Sequence, residues 1–188
     1  VFLLNLLSNP IFYGIHSHMG KEYRRPAYST LISRLREPRQ FIQVLAGPRQ
    51  TGKTTLAQQV MDGIQISAYY GTADEPAIKD RPWLIQAWES GRQLTENKDG
   101  TQVPALLILD EIQKMPGWSE TVKRLWDEDT GKGRPLKVVL LGSSPLLVAS
   151  GLSESLTGRF ELIPIPHWSF TEMREAFGWN LEKYLLFG

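Results

Sequence analysis

A nine-residue stretch restricts the fold of this chain more than any other feature. It is Gly47-Pro48-Arg49-Gln50-Thr51-Gly52-Lys53-Thr54-Thr55, which matches the pattern G-x-x-x-x-G-K-[ST] at every fixed position. Glycines let the backbone curl until successive N–H groups surround a phosphate chain, and a following helix directs its positive end at the same anion. Lys53 would place its ammonium on the outer phosphates, and the Thr54 hydroxyl would bind a phosphate-bound Mg²⁺. The stretch predicts a phosphate-binding loop.

The residues on either side of this loop have the required patterns. Phe41–Ala46 is an apolar run typical of a buried strand, and Leu56–Met61 has the pattern of a helix. Because a phosphate-binding loop of this kind joins a strand to a helix, the order of the three segments supports the prediction. The alternative is a glycine-rich turn followed by a surface lysine.

The composition excludes several classes of protein. With 188 residues, of which 41% are hydrophobic and 22% charged, the chain suits one globular domain and is neither disordered nor collagen-like. It contains no cysteine, which excludes a disulfide framework and a thiolate site and favours a cytoplasmic location. The net charge of +1 carries no overall signature of nucleic-acid or membrane binding. We interpret the local excess of positive charge in residues 21–49 as a solvated face beside a polyanion.

The two ends of the chain differ from the rest. Residues 1–18 do not start with methionine and are largely apolar, but the run is too short to span a bilayer and lacks the basic start of a signal peptide. We therefore treat residues 1–18, with their His16 and His18, as a leader or non-native segment, and residues 19–188 as the domain. The sequence stops at Gly188 within an apolar helical pattern, so we expect the natural protein to continue.

A second strand pattern ends in two acidic residues. Val103–Leu109 is a continuous apolar run, as expected for a parallel strand buried on both faces, and Asp110 and Glu111 follow it. In α/β sheets, ligands bind at the carboxyl ends of the strands. Asp110 would hold Mg²⁺, directly or through water, and Glu111 would polarise the water that attacks a γ-phosphorus. Since neighbouring side chains on a strand point to opposite faces, we expect the two carboxylates to have different tasks.

Three further strand patterns complete the predicted sheet, at Ile64–Tyr70, Leu136–Leu141 and Phe160–Ile165. Helical patterns between and beside them are marked by Tyr28 to Leu35, Trp83 to Leu94 and Trp118 to Trp126. The strand at Leu136–Leu141 runs into Gly142, Ser143 and Ser144, where a polar side chain could contact the γ-phosphate and orient water. We favour Ser144 over Ser143, and an ordinary strand-end turn is the alternative.

In this order, the motifs resemble one family. GPRQTGKTT, LLILDEIQ, VVLLGSS, Gly151–Phe160 and Trp168–Glu172 together are similar to the prokaryotic AAA-like P-loop ATPases whose ATPase domain precedes a second domain of unknown function. The resemblance covers about residues 21–188. It implies an α/β fold, the three-layer α/β/α sandwich of P-loop NTPases, with a parallel sheet of about five strands. The P-loop strand would be central, and the strand before Ser144 would lie between it and the Walker B strand that ends at Asp110. The resemblance also implies ATP and Mg²⁺ as cofactors, and a natural C-terminal domain that is absent here.

The later motifs leave alternatives open. Arg159 ends an L-x-G-R segment, and its guanidinium either reaches a γ-phosphate as an arginine finger, in its own chain or a neighbouring one, or pairs with a carboxylate at the sheet edge. Ser169 with Glu172 fits a capping box that begins a helix. His167 is interpreted as a loop residue.

The motifs support two main hypotheses about function, and a small-molecule kinase, which would share the loop but seldom needs a glutamate at position 111, is a third. The first is an ATPase, slow as an isolated domain, in which Mg²⁺-dependent ATP hydrolysis resets a conformational state. Its catalytic residues would be Lys53, Glu111, Ser144 and Arg159, and Thr54 and Asp110 would hold the metal. The second is a nucleotide-gated module, in which ATP occupancy switches the affinity of the missing C-terminal region for a protein or DNA partner and hydrolysis is incidental. A homo-oligomer is compatible with both, and no membrane partner is expected.

Overall fold

Five strands in the described part of the chain form one parallel sheet. The structure is a computed structural model that describes residues 23–74, 81–143 and 155–187. Its strands are β1 (Ile42–Ala46), β2 (Ser67–Thr72), β3 (Ala105–Asp110), β4 (Leu136–Gly142) and β5 (Phe160–Pro164). Their order in the sheet is β2-β3-β4-β1-β5. Because parallel strands need crossover connections, helices are brought onto the faces of the sheet.

The described helices are α1 (Pro26–Arg36), α2 (Lys53–Gly63), α3 (Arg81–Gln93), α4 (Trp118–Gly131), α5 (Phe170–Phe177) and α6 (Leu181–Phe187), with a 3-10 turn at Ile112–Lys114. Helices α1 and α2 pack on one face of the sheet, and α3 and α4 on the other. This arrangement confirms the predicted three-layer fold with a five-stranded parallel sheet. In the described part of the chain, no helix has the length and apolar character needed to cross a membrane.

Strand β3 is covered on both faces, which explains why its sequence does not alternate between polar and apolar residues. Leu107 and Leu109 pack into the core beneath α3 and α4, whereas Leu106 and Ile108 pack into the core beneath α1 and α2. Successive side chains of a strand point to opposite faces, and here both faces are covered. The continuous apolar run is therefore the pattern of an inner strand, and it brings Asp110 to the carboxyl edge of the sheet.

The structure refines three expectations. The P-loop strand β1 is an inner strand but not the middle one, because β4 takes the middle place. Strand β2 starts at Ser67 and not at Ile64, since α2 extends to Gly63 and the Ile64 N–H still donates to the Val60 carbonyl. The capping box at Ser169 and Glu172 is confirmed at the start of α5.

A buried carboxylate joins α3 to α4. Asp129 has no exposed surface, and its Oδ1 accepts from Arg92 Nε at 2.8 Å. Its Oδ2 accepts from Trp88 Nε1 at 2.8 Å, and Arg134 Nε lies 3.6 Å from Oδ1. Each partner is itself at least half-buried, so the charge of Asp129 is balanced inside the helical layer and not by water.

We predict that Asp129→Ala destabilises the fold by about 3–5 kcal/mol, because it leaves the buried Arg92 guanidinium and the Trp88 N–H without this acceptor. Urea unfolding followed by circular dichroism measures the change. The matched control is Asp127→Ala on the same helix, whose carboxylate pairs with Arg159 at the exposed surface. Exposed pairs contribute little, so the control should unfold near the wild-type midpoint. Equal midpoints for the two variants would contradict the structural role of Asp129.

Candidate functional site

The loop between β1 and α2 has the backbone conformation of an anion-binding turn. Gly52 precedes the first helical residue and has φ 83°, a left-handed conformation that glycine adopts without steric cost. Gln50, two residues earlier, also has a positive φ of 60°. Short stretches that combine right- and left-handed residues form concave nests of backbone N–H groups, and the N-terminus of a helix adds its positive dipole end. The local conformation therefore agrees with the predicted phosphate-binding loop.

The first glycine of the loop is required by packing. A Cβ on Gly47 would stand 2.0 Å from the carbonyl oxygen of Ile165. The Ile165 N–H donates to the Ala46 carbonyl at 2.8 Å, so the chain after β5 stays paired with the chain after β1 up to the loop. A side chain at position 47 would push these two segments apart.

Lys53 lies inside the curve of the loop. Its side chain is buried, and the ammonium donates to the carbonyls of Gly47 at 3.0 Å and Pro48 at 2.5 Å. The pKa of the Lys53 ammonium is lowered, because the effect of burial exceeds the opposing effect of the nearby carboxylates Glu111 and Asp110. An ammonium has three N–H donors, so the third is left to meet an anion in the loop.

Asp110 connects the loop to the end of β3 and to β2. Its Oδ2 accepts from Thr54 Oγ1 and from Tyr70 Oη, each at 2.7 Å, and its Oδ1 accepts from the Glu111 N–H at 2.8 Å. Burial, followed by the hydrogen bond to Asp110, raises the pKa of the Tyr70 phenol, which keeps it protonated and a donor. Three donors thus hold the Asp110 carboxylate beside the Thr54 hydroxyl.

These two oxygen ligands fit Mg²⁺. The ion keeps much of its octahedral shell as water and takes one or two protein ligands together with phosphate oxygens. Within residues 23–74, 81–143 and 155–187, no three His, Cys, Asp or Glu side chains gather as a metal site. The donor set of Thr54 and Asp110 therefore fits a metal that arrives with a phosphate ligand and not one held by the protein alone.

Glu111 leaves the strand in a left-handed conformation, with φ 53°. Its Oε2 accepts from Gln113 Nε2 at 2.8 Å and lies 3.5 Å from Lys114 Nζ, which also pairs with Asp74 after β2. Asp110 and Glu111 do point to different partners, but the reason expected from strand alternation is wrong. Glu111 lies just past the end of β3, and its backbone turn separates the two carboxylates.

A cavity of about 450 Å³ lies between the loop and the segments that follow β2 and β3. It is lined by Arg49, Gln50, Thr51, Gly52, Lys53, Thr54, Asp74, Glu111 and Lys114. Sequence reasoning missed Tyr70, Asp74, Gln113 and Lys114. Gln113 and Lys114 follow Glu111 by two and three residues, and this short spacing could have indicated that they contact its carboxylate. Tyr70 and Asp74 reach the site only because β2 pairs with β3, with Thr72 opposite Asp110.

Of the other two predicted catalytic residues, one falls outside the described residues and the other lies away from this cavity. Ser144 lies outside the described residues, just after the buried Ser143. Arg159 precedes β5, and its carbonyl accepts from the Ile42 N–H at 2.8 Å, which places it at the amino ends of the strands, opposite the loop. Its guanidinium pairs with Asp127 at 2.7 and 3.0 Å. The structure therefore has the carboxylate pair and not a phosphate contact within the same chain, and a role toward a neighbouring chain stays a prediction.

Comparison with known proteins agrees with this geometry. A family model described as an AAA domain matches residues 39–174, which include the loop, β3 with its two acids, and the start of α5. The chain belongs to this AAA domain family. Its fold is that of an AAA-type P-loop NTPase.

Relatives of this AAA domain are longer proteins. An uncharacterized protein of Haemophilus influenzae is 28% identical over 145 residues, which are 72% of this chain and 34% of the relative. An uncharacterized protein of Mycobacterium tuberculosis is 32% identical over 128 residues, which are 66% of this chain and 24% of the relative. The chain thus spans about a third or less of the length of these relatives.

Two solved structures share the fold. The ORC1 protein of Aeropyrum pernix, in complex with DNA, superposes with a TM-score of 0.57 at 15% identity, covering 81% of this chain and 46% of that chain. A RuvB variant of Thermotoga maritima superposes with a TM-score of 0.51 at 21% identity, covering 80% and 46%. At such identities the likeness concerns the fold.

We predict that Gly47→Ala abolishes phosphate-ligand binding and lowers the melting temperature, because the added Cβ collides with the Ile165 carbonyl. Thermal unfolding and ATP titration measure the two effects. Gly131→Ala at the end of α4 is the matched control, since its Cβ would meet nothing within 4 Å. Gly131→Ala should therefore keep the wild-type melting temperature and the wild-type affinity for ATP. A Gly47→Ala variant as stable as the control would show that the loop and the β5 segment do not pack as described.

Proposed function

We propose that this AAA domain binds ATP with Mg²⁺ and hydrolyses its γ-phosphate. The observation that carries the proposal is the meeting of the Lys53 ammonium, the Thr54 hydroxyl and the Asp110 carboxylate at the N-terminus of α2, with Glu111 lining the same cavity. Loop N–H groups and Lys53 would bind the phosphate oxygens, while Thr54 and Asp110 would hold the metal. Bound Mg²⁺ would neutralise charge that develops on the phosphates.

Glu111 is the candidate for activating water. Its carboxylate lines the cavity and is held by the Gln113 amide and the Lys114 ammonium. A carboxylate there would accept a proton from the attacking water as the new P–O bond forms and the bond from the γ-phosphorus to the bridging oxygen of ADP breaks. The products would be ADP and phosphate. Asp110 is unsuited to this task, since both of its oxygens already accept hydrogen bonds near the metal site.

We predict that Glu111→Gln keeps ATP binding but loses turnover by at least about a hundredfold, since an amide cannot take the proton. Steady-state phosphate release and ATP titration separate the two steps. Lys53→Ala should lose binding itself, because the loop then lacks its buried cation. Glu182→Gln, an exposed change on α6, is the matched control and should behave as wild type. Normal turnover by Glu111→Gln would refute the role of Glu111.

The same experiment distinguishes a second function, a nucleotide-gated binding module. One contact favours it: Arg25 donates to the Thr51 carbonyl in the loop at 2.8 Å and pairs with Glu172 of α5 at 2.8 Å, so loop and C-terminal helices are joined. If wild type and Glu111→Gln both bind ATP and neither releases phosphate, occupancy itself would be the signal. The longer relatives leave room for a partner-binding region outside this domain, and DNA, bound in the ORC1 structure, is the first partner to test.

Tyr70 gives a test of the metal site. We predict that Tyr70→Phe lowers turnover roughly tenfold and raises the Mg²⁺ concentration for half-maximal activity, because the Asp110 carboxylate loses a donor that fixes it. Mg²⁺ titrations at saturating ATP measure this. Tyr69→Phe on the same strand is the control, since the Tyr69 ring packs into the core beneath α3 and α4. An unchanged Mg²⁺ dependence in Tyr70→Phe would exclude a positioning role for this phenol.

A further inference from the structure

Trp168 lies against the second glycine of the loop. A Cβ placed on Gly52 would stand 3.6 Å from Cζ2 of the indole. The indole reaches this place because β5 pairs with β1, and the chain continues from Ile165 through Pro166 along the loop. The side chain is only partly buried. It therefore presents aromatic surface beside the loop.

Trp168 is held firmly for a partly exposed residue. Its ring centre lies 5.3 Å from that of Phe177 and 5.9 Å from that of Tyr23, and its carbonyl accepts from Tyr184 Oη at 3.0 Å. The Arg25 guanidinium lies 4.8 Å from the ring centre. Tyr23 is also partly exposed, and Phe177 is 58% exposed. An aromatic side chain that is fixed on several sides and still open to solvent suits recognition of a flat ligand.

Arg25 sets the distance between this aromatic group and the loop. It is 6% exposed and donates to the carbonyls of Thr51 at 2.8 Å and Pro166 at 3.1 Å. It also forms two bonds with the Glu172 carboxylate, at 2.8 and 3.2 Å. Because one guanidinium bonds the loop, the segment before Trp168 and the start of α5, the backbone on both sides of Trp168 is tied to the loop.

The order of strands gives a bound nucleotide a direction. The acids Asp110 and Glu111 follow β3, and Trp168 follows β5, on the other side of β1 and its loop. Under the proposed function, Thr54 and Asp110 would hold Mg²⁺ and Glu111 would activate water, so the γ-phosphate would lie on the side of β3. The nucleoside would then lie on the opposite side of the loop, where Trp168 lies against Gly52 and Tyr23 packs beside it.

We propose that Trp168, with Tyr23 beside it, forms the surface on which the nucleobase of the bound nucleotide stacks. This inference rests on the proposed function and names the part of the site that binds the base. Stacking of a base on an aromatic side chain strengthens binding by roughly tenfold or more. It adds affinity for a nucleotide and none for a bare phosphate chain.

The test compares ATP with inorganic tripolyphosphate, both with Mg²⁺, by isothermal titration calorimetry on the full chain. In Trp168→Leu, which keeps an apolar contact but has no ring, ATP affinity should fall roughly tenfold while tripolyphosphate affinity stays unchanged. Trp168→Phe should remain within a fewfold of wild type. Trp179→Leu is the matched control, since that ring lies 4.8 Å from Lys183 Nζ in the same C-terminal segment, and it should bind both ligands normally.

The remaining outcomes distinguish a failure of the stacking surface from a failure of the proposed ATP site. Equal losses of ATP and tripolyphosphate in Trp168→Leu would show that the indole only supports the loop, and an unchanged ATP affinity would show that the base does not touch it. Either result overturns the stacking surface and leaves the proposed ATP site standing. Wild type that binds neither ligand would overturn both proposals. A thermal melt of each variant without ligand, expected within a few degrees of wild type, confirms that the comparison is made on folded protein.

Discussion

Parallel pairing of all five strands is the constraint on which the site depends. It brings the carboxyl ends of β1, β2 and β3 to one edge, so groups that are far apart in sequence meet there. For example, Asp110 Oδ2 accepts hydrogen bonds from both Thr54 and Tyr70, and these three residues lie in three different segments. A sheet with one antiparallel strand among these would move one of the three to the opposite edge.

The site is also tied to the packing beneath it. The lysine of the loop is buried next to carbonyls, and burial lowers its pKa more than the carboxylates at the end of β3 raise it. On the β5 side, Gly47 contacts the Ile165 carbonyl without room for a methyl group. The conformation of the loop therefore depends on the packing of the sheet. A core change near β5 is expected to alter the loop between β1 and α2 through backbone contacts and not through charge.

Much of the fold was predictable from local patterns. The loop, its preceding strand and its following helix are contiguous in the sequence, so their local patterns predict them. The continuous apolar run of β3 predicts a strand covered on both faces. The capping box at Ser169 and Glu172 is equally local. Tyr70 was not predictable as a site residue, because its role depends on β2 being the neighbour of β3. Neither was the partner of Arg159, since Asp127 lies on α4, more than thirty residues earlier in the chain.

Two backbone conformations show where the fold accepts strain. Among residues 23–74, 81–143 and 155–187, the non-glycine residues with positive φ are Gln50 and Glu111, and both line the same cavity. A left-handed conformation costs a residue with a Cβ about 1–2 kcal/mol, and glycine would remove much of that cost. The chain keeps side chains at both positions, so local stability is lower there than the backbone alone would permit. Selection for heat resistance alone would therefore be expected to replace these two residues with glycine first, which would remove their side chains from the cavity lining.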